Sequence, residues 1–401
     1  MWEIKDKGFL PENDPWNFTK REFEGQQKVE LWKTVDSFFN SLDVFMESIP
    51  HLIEKRMYRE EVVSFLRSYS YEIGNYSVEC LEKLFKHYCY MASAYVHALH
   101  ETTATRLPKE IAAPLRDLAR RLDREPILSY SCYALNNWRR KEADEPIVLE
   151  NIELQQNFSK DHKVDEDWFI LIHVDIEARA ADGISAINQY RNSYFKSNPP
   201  RVIESCDPMK CEGRLRNMHT SLRMMNITMS RMPENCSEDF YFKAVRPFIF
   251  GFDKVMYESN NQHVGNVALT LRGETGAQSS IIPAYVAALH VEHTDSILTT
   301  HLKDMRKYMP KEHREFLSDV ETINVSGQAG SIRAMSEGNK RCAELYNECL
   351  TELLKFRTLH LEFAINYIQK QVDNPTGTGG TPFIQWLTQL RDETESRYIK
   401  L

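Results

Sequence analysis

Glycine and proline are scarce in this chain, and their positions leave long stretches that neither residue interrupts. The 401 residues include 15 glycines and 16 prolines, which fall in a few places. Because both residues punctuate helices and strands, such wide gaps favour helices over a many-stranded sandwich. Within the gaps, apolar residues recur at three- and four-residue steps, and nothing alternates at period two for long enough to predict a sheet. The sequence therefore predicts an all-α fold.

The predicted helices form two groups, which a polar and acidic stretch after Trp138 separates. That stretch carries Pro146 and few periodic apolar residues. We expect a small N-terminal helical domain over 1–138, a linker over 139–165 and a large helical domain over 166–401. The predicted helices span 27–49, 59–71, 77–99, 109–124, 166–195, 212–231, 237–255, 280–307, 311–320, 338–371 and 382–397.

Charge and hydropathy exclude several kinds of partner. The net charge of −8 and the pI near 6.0 argue against nucleic-acid binding, which needs a basic excess. No apolar run reaches the ~18 residues of a membrane span, and the charged N-terminus lacks the apolar core of a signal peptide. We therefore expect a cytoplasmic protein. Its eight cysteines show no zinc-site spacing and are typical of small buried hydrophobes.

His360 is the first candidate for chemistry. It lies in the predicted helix 338–371, on a face with Leu353, Phe356 and Phe363. A histidine on such a face is most often a core residue satisfied by a hydrogen bond. The alternative is a metal or haem ligand, since haem needs one axial nitrogen and apolar walls. The spacing alone does not decide between the two.

His173 and Arg246 pose the same kind of choice. His173 shares a helix face with Phe169, and it is either a core histidine or a group that hydrogen-bonds a substrate N–H. Arg246 lies between Phe242 and Phe248, where a buried guanidinium needs an anion. That anion is either an internal carboxylate or the carboxylate of a ligand. Pro247 predicts a kink directly after it.

The run Gly377-Thr378-Gly379-Gly380-Thr381 has two interpretations. It is either a flexible linker or a loop that closes over a ligand, with Thr378 donating its hydroxyl. No Lys-Ser/Thr follows it and no strand precedes it, so it does not resemble a phosphate loop.

At these residues the sequence resembles the indoleamine 2,3-dioxygenase family. The stretch Asp304–Pro310 (Asp-Met-Arg-Lys-Tyr-Met-Pro) is similar to that family's Asp-Met-Arg-Arg-Tyr-Met-Pro, and 277–280 (Ala-Gln-Ser-Ser, after Gly276) to the end of its Ala-Gly-Gln-Ser-Ser turn. Residues 356–361 (Phe-Arg-Thr-Leu-His-Leu) resemble its Leu-Arg-Ser-Tyr-His-Leu, and 377–381 match its substrate loop. The resemblance covers about residues 125–397, with its motifs in the family's order.

The resemblance implies a haem b enzyme that inserts both atoms of O₂ across the indole 2,3 double bond, giving an N-formylkynurenine-type product. It assigns His360 to the iron as proximal ligand and Arg357 to a haem propionate. Arg246 would bind the substrate carboxylate, and Thr378 the amino-acid end of the substrate. The implied partners are O₂ and a small indole or other aromatic amino acid. The remaining substrate-pocket residues would be Tyr130, Phe169, Tyr241 and Gly276.

Two positions depart from the family pattern. His173 stands where indoleamine dioxygenases usually have a serine, and a distal histidine is the habit of tryptophan 2,3-dioxygenases and haem-dependent tyrosine hydroxylases. Val286 stands where the family often has an acidic partner for the propionate-binding arginine, here Arg357. Two alternatives therefore stay open beside the dioxygenase with a catalytic His173: hydroxylation of another aromatic amino acid, and haem binding by a sensor or carrier without turnover. The sequence leaves the oligomeric state open.

Overall fold

Helices dominate the computed structural model, as the sequence predicts. It describes residues 6–15, 29–68, 76–99, 101–161, 163–195, 208–259, 265–326, 331–371 and 383–401. The helices are α1 (Val29–Glu54), α2 (Tyr58–Arg67), α3 (Val78–Val96), α4 (Lys109–Leu122), α5 (Lys163–Phe195), α6 (Pro208–Ser230), α7 (Glu238–Phe240), α8 (Ile281–Ala288), α9 (Ile297–Met305), α10 (Lys311–Ser326), α11 (Ile332–Glu337), α12 (Lys340–Tyr367) and α13 (Phe383–Glu395).

Short strands complete the fold. Strands β2 (Trp138–Arg140) and β3 (Ile152–Leu154) pair as an antiparallel hairpin. Strand β1 (Arg106–Leu107) lies parallel to β4 (Phe252–Tyr257), which pairs antiparallel with β5 (Val267–Leu271). With two to six residues each, these strands are too short to produce a readable period of two. The sequence pattern therefore did not predict these strands, and the all-α class is confirmed.

The prediction of one helix over 237–255 was wrong. Only Glu238–Phe240 is α-helical there, and a π turn (Tyr241–Val245) and a 3₁₀ turn (Arg246–Ile249) precede strand β4. Pro247 has no N–H to donate, so the α-helical hydrogen-bond pattern does not continue through it. The predicted helix 280–307 is likewise two helices, because His290 adopts a positive φ of 50° between α8 and α9.

Helices α5, α6 and α12 pack together at the centre of the molecule. The 33-residue α5 has buried side chains around its circumference, and α6 packs against both α5 and α12. Gly183 allows α8 to approach α5, since a Cβ there would lie 1.8 Å from the Tyr285 hydroxyl oxygen. The side chain of Asn339 caps α12 by accepting a hydrogen bond from the amide of Cys342. These contacts fix the helices that carry His173 and His360.

One connected apolar core includes residues from both predicted domains, among them Phe85 and Ile172. The domain boundaries at 138 and 165 stay a prediction. Seven of the cysteines lie in the described part of the chain, all of them buried, as expected, and Cys206 lies outside it. No helix in the described ranges is long and apolar enough to cross a membrane.

Candidate active site

His360 lies deep in the protein but keeps an accessible imidazole. Protein surrounds the ring densely, and burial, together with the smaller effect of the nearby His173, lowers the pKa of its imidazole to about 4. The His360 side chain nevertheless keeps accessible surface, and no described residue forms a hydrogen bond with its imidazole. Phe356, Leu359 and Phe363 of the same helix are only partly buried against the core. His360 therefore lies among partly buried apolar side chains, and its imidazole is neutral at pH 7.

His173 of α5 lies near enough to His360 to lower the pKa of that imidazole electrostatically. The Nδ1 atom of His173 is 2.7 Å from the carbonyl oxygen of Phe169, one turn earlier. A carbonyl can only accept, so Nδ1 carries the proton and donates it. Burial also lowers the pKa of His173, so the ring is neutral and Nε2 remains an acceptor. Nothing in the described ranges hydrogen-bonds to that Nε2 atom.

A chain of aromatic rings joins α5 to α12 beside the two histidines. The Phe169 ring lies 4.8 Å from the His173 ring and 4.7 Å from the Tyr241 ring. Tyr241 in turn contacts Tyr367 at 5.7 Å, and Tyr367 contacts Phe363 at 5.8 Å. Two predicted pocket residues, Phe169 and Tyr241, are thus in contact with each other and lie between the helices of the two histidines.

Arg246 is buried next to Tyr241. Its guanidinium carbon lies 5.3 Å from the ring centre of Phe242 and 4.7 Å from that of Phe250. Burial lowers its pKa, although the neighbouring Tyr241 acts in the opposite direction. Stacked aromatic faces hold a guanidinium flat and leave its edge for hydrogen bonds. The structure therefore brings Arg246 to the aromatic cluster, and its role toward a carboxylate stays a prediction.

Tyr130 packs against the ring of His173. The two rings meet edge to face at 6.0 Å, and the Tyr130 phenol donates a hydrogen bond of 2.9 Å to Oε1 of Glu177. The Tyr130 amide donates to the side chain of Gln278, in the turn Gly276–Gln278. A methyl group on Gly276 would meet no atom within 4 Å, so this turn leaves open space. We call His173, Tyr130 and the turn Gly276–Gln278 the α5 wall.

Helix α13, and not the segment around Val286, supplies the hydrogen-bond partners of Arg357. Its guanidinium donates to the carbonyl of Leu390 and the hydroxyl of Thr394, both on α13, and lies 3.3 Å from Nε2 of His293. His293 is also hydrogen-bonded to Glu393 of α13. Val286 offers no carboxylate, and α13 supplies the partners instead. The propionate role of Arg357 stays a prediction, and Thr378 lies outside the described residues.

The residues around His360 fit haem. No group of three or more His, Cys, Asp or Glu side chains in the described part of the chain could hold a bare metal ion. Haem needs fewer protein ligands than a bare metal ion, because its macrocycle supplies four nitrogens and one neutral imidazole completes the attachment. His360 offers that imidazole, without a competing hydrogen bond, among apolar side chains.

A comparison with known families decides the classification. The family model described as indoleamine 2,3-dioxygenase matches residues 2–375. The chain belongs to the indoleamine 2,3-dioxygenase family. Indoleamine 2,3-dioxygenase 1 of Rattus norvegicus is 26% identical to it over 376 residues, 88% of each chain. Indoleamine 2,3-dioxygenase of Saccharomyces cerevisiae is 28% identical over 361 residues, which cover 76% of this chain and 75% of the yeast protein.

A third relative carries a different name. Myoglobin of Haliotis diversicolor is 24% identical over 381 residues, 91% of this chain and 93% of the relative. Membership confirms the resemblance and places the chain among haem-dependent, dioxygenase-like oxidoreductases. The roles of the individual site residues stay predictions.

Sequence reasoning missed Glu177 as a candidate. Its carboxyl is buried next to Tyr130, and burial raises its pKa to about 7. The signal was present, since Glu177 follows His173 by four residues and thus lies on the same helix face. It also missed Glu274, which is buried just before Gly276 and whose pKa burial raises to about 8.

Proposed function

We propose that this member of the indoleamine 2,3-dioxygenase family inserts both atoms of O₂ across the indole 2,3 double bond of L-tryptophan or a related indole. The product would be of the N-formylkynurenine type. One observation carries the proposal: His360 and His173 lie close together beside an aromatic cluster, each with a ring nitrogen that no described residue uses. Haem held by His360 would supply the binding and activation of O₂.

The chain's own residues would bind and orient the substrate. Nε2 of His173 would accept a hydrogen bond from the indole N–H, which sets the ring orientation and contributes position more than proton removal. Arg246 would pair with the substrate carboxylate in a bidentate manner. The rings of Phe169 and Tyr241 would pack against the indole and exclude water from it. Thr378 and its glycine loop would close over the amino-acid end.

Product mass tests the proposal. The full chain, reconstituted with haem and reduced, is incubated aerobically with L-tryptophan, and the product is analysed by mass spectrometry. Gain of two oxygen atoms supports the dioxygenase. Gain of one oxygen atom would instead indicate hydroxylation, the alternative that His173 keeps open. No product from L-tryptophan or from other indoles would contradict the dioxygenase, and no product from L-tyrosine would contradict the hydroxylase as well.

Oxygen carriage without turnover is a second candidate, and the Haliotis myoglobin relative favours it. A carrier would bind O₂ reversibly to the reduced protein, and L-tryptophan would neither shift the haem spectrum nor be consumed. The spectral titration separates the two functions, because the substrate contacts assigned to Arg246 and His173 require such a shift.

A further inference from the structure

A buried polar cluster centres on Glu177, outside the set of residues that the proposed mechanism uses. Oε1 of Glu177 accepts one hydrogen bond from the Tyr130 phenol, 2.9 Å long, and another from the Ser279 hydroxyl, 3.0 Å long. Glu177 is 1% exposed, and its second oxygen, Oε2, has no partner among the described residues. A buried carboxyl is costly, so its retention next to the site calls for a function.

The cluster ties three separate segments together. Glu177 belongs to α5, Tyr130 begins the turn before β2, and Ser279 directly follows the turn Gly276–Gln278. Gln278 strengthens the connection, because its side chain accepts from the Tyr130 amide at 3.0 Å and donates to the Gly273 carbonyl at 2.9 Å. Each of these segments contributes to the α5 wall, and the carboxyl of Glu177 is the group that joins all three.

Glu177 affects the α5 wall through its two hydrogen-bond partners, Tyr130 and Ser279. It lies one turn beyond His173, and Tyr130, which it holds, packs edge to face on the His173 ring. Ser279 anchors the turn that begins at Gly276, where open space remains. A shift of either hydroxyl would therefore move a surface that the substrate is proposed to touch. Burial raises the pKa of Glu177 to about 7, and a carboxyl keeps an acceptor oxygen in both protonation states.

We propose that Glu177 is a positioning residue, which fixes Tyr130 and the turn Gly276–Gln278 against α5 so that the α5 wall is preformed for an aromatic substrate. The part concerning substrate rests on the proposed function. Preformed sites bind more tightly because binding does not have to order them.

Variants at Glu177 test the proposal in the haem-loaded full chain. Glu177→Ala removes the acceptor for both hydroxyls, whereas Glu177→Gln keeps a side-chain oxygen in the same place. Glu166→Gln is the matched control, since Glu166 is also a buried glutamate of α5 but accepts from the backbone amides of Phe158 and Ser159. Two readouts are measured: the L-tryptophan affinity from the haem spectrum, and the stretching frequency of carbon monoxide bound to the ferrous protein.

We expect Glu177→Ala to weaken L-tryptophan binding about tenfold and to shift or broaden the carbon monoxide band, since two hydrogen bonds are lost. Glu177→Gln should recover most of the affinity, and Glu166→Gln should match the wild type. Wild-type affinity and an unchanged band in Glu177→Ala would overturn the proposal. If that variant does not fold, Tyr130→Phe and Ser279→Ala replace it, and wild-type values in both would overturn the proposal equally.

The carbon monoxide band separates this proposal from the proposed function. If the wild type binds no aromatic amino acid, the proposed function fails, but the band still reports whether Glu177 shapes the α5 wall. A band that Glu177→Ala shifts and Glu177→Gln restores then supports the positioning role. An unchanged band overturns it.

Discussion

At the scale of single residues, the hydrogen bond from Nδ1 of His173 to the Phe169 carbonyl decides what this histidine can do. Helix α5 provides that carbonyl four residues earlier, so the backbone itself selects the tautomer that leaves Nε2 as an acceptor. A serine at the same place could donate as well as accept. The departure from the family pattern therefore predicts a stricter demand for an N–H on the substrate.

Removing the donor from the substrate tests this demand. We expect the wild type to bind 1-methyl-tryptophan about tenfold more weakly than L-tryptophan, beyond the effect of the methyl group, because one hydrogen bond is lost. In His173→Leu, which has a similar shape but no acceptor, the two ligands should differ less. Spectral titrations give the four dissociation constants. Equal discrimination by wild type and variant would show that Nε2 does not bind the indole N–H.

Arg246 is expected to bind the substrate carboxylate and to have no part in haem binding. Arg246→Ala should bind haem normally but lose L-tryptophan affinity by roughly 100-fold, as truncating one partner of a buried charge pair does. Tryptamine has no carboxylate and serves as the matched ligand. The wild type and Arg246→Ala should bind tryptamine with nearly the same affinity. An equal loss of affinity for tryptamine and L-tryptophan would point to a collapsed pocket instead.

At the scale of elements, the sequence predicted well where one helix face is apolar over several turns, as in α4 and α12. It failed between 237 and 255, because Phe248, Ile249 and Phe252 keep a helical spacing while Pro247 breaks the backbone pattern. The roles of the candidate residues came from the resemblance, since periodicity gives His360 and an ordinary core histidine the same pattern. The position of Glu177 on the helix face of His173 was readable from the sequence, but its hydrogen bonds were not, because Tyr130 and Ser279 are distant in sequence.

Arg357 is expected to hold α13 against α12. Arg357→Met should keep the volume but lose the hydrogen bonds to Leu390 and Thr394, so the amides of α13 should exchange hydrogen faster. Hydrogen exchange followed by mass spectrometry measures this, with α6 as the internal reference. Arg357→Lys should not restore protection, because one ammonium cannot reproduce the fork geometry of a guanidinium. Unchanged exchange in α13 would contradict the anchoring role.

At the scale of the whole molecule, buried histidines couple stability to pH. Burial lowers the pKa of His313 to about 3 and that of His87 and His97 to about 4. The unfolded chain takes up these protons near pH 6.5, whereas the folded chain does not, so stability is complete above pH 6.5 and is lost as pH falls. His313→Gln should flatten this loss, by about 3 kcal/mol at pH 4.5. Urea unfolding at pH 7 and pH 4.5 checks the slope, with the more exposed His219→Gln as control.

Haem is expected to stabilise the folded protein, because it would bond to His360 on α12 and also contact the α5 wall. His360 lies on α12, whereas the α5 wall belongs to α5 and its neighbours, and a haem bound to His360 would fill the space between them, beside partly buried side chains such as Phe169 and Phe363. A ligand that fills this space binds the folded state only, and a 1,000-fold excess over its dissociation constant adds about 4 kcal/mol. Haem should therefore raise the unfolding temperature of the wild type and slow hydrogen exchange chiefly in α5 and in 356–368. His360→Ala should gain neither effect until imidazole is added to replace the lost ligand. Equal stabilisation of His360→Ala without imidazole would show that haem is held by another residue.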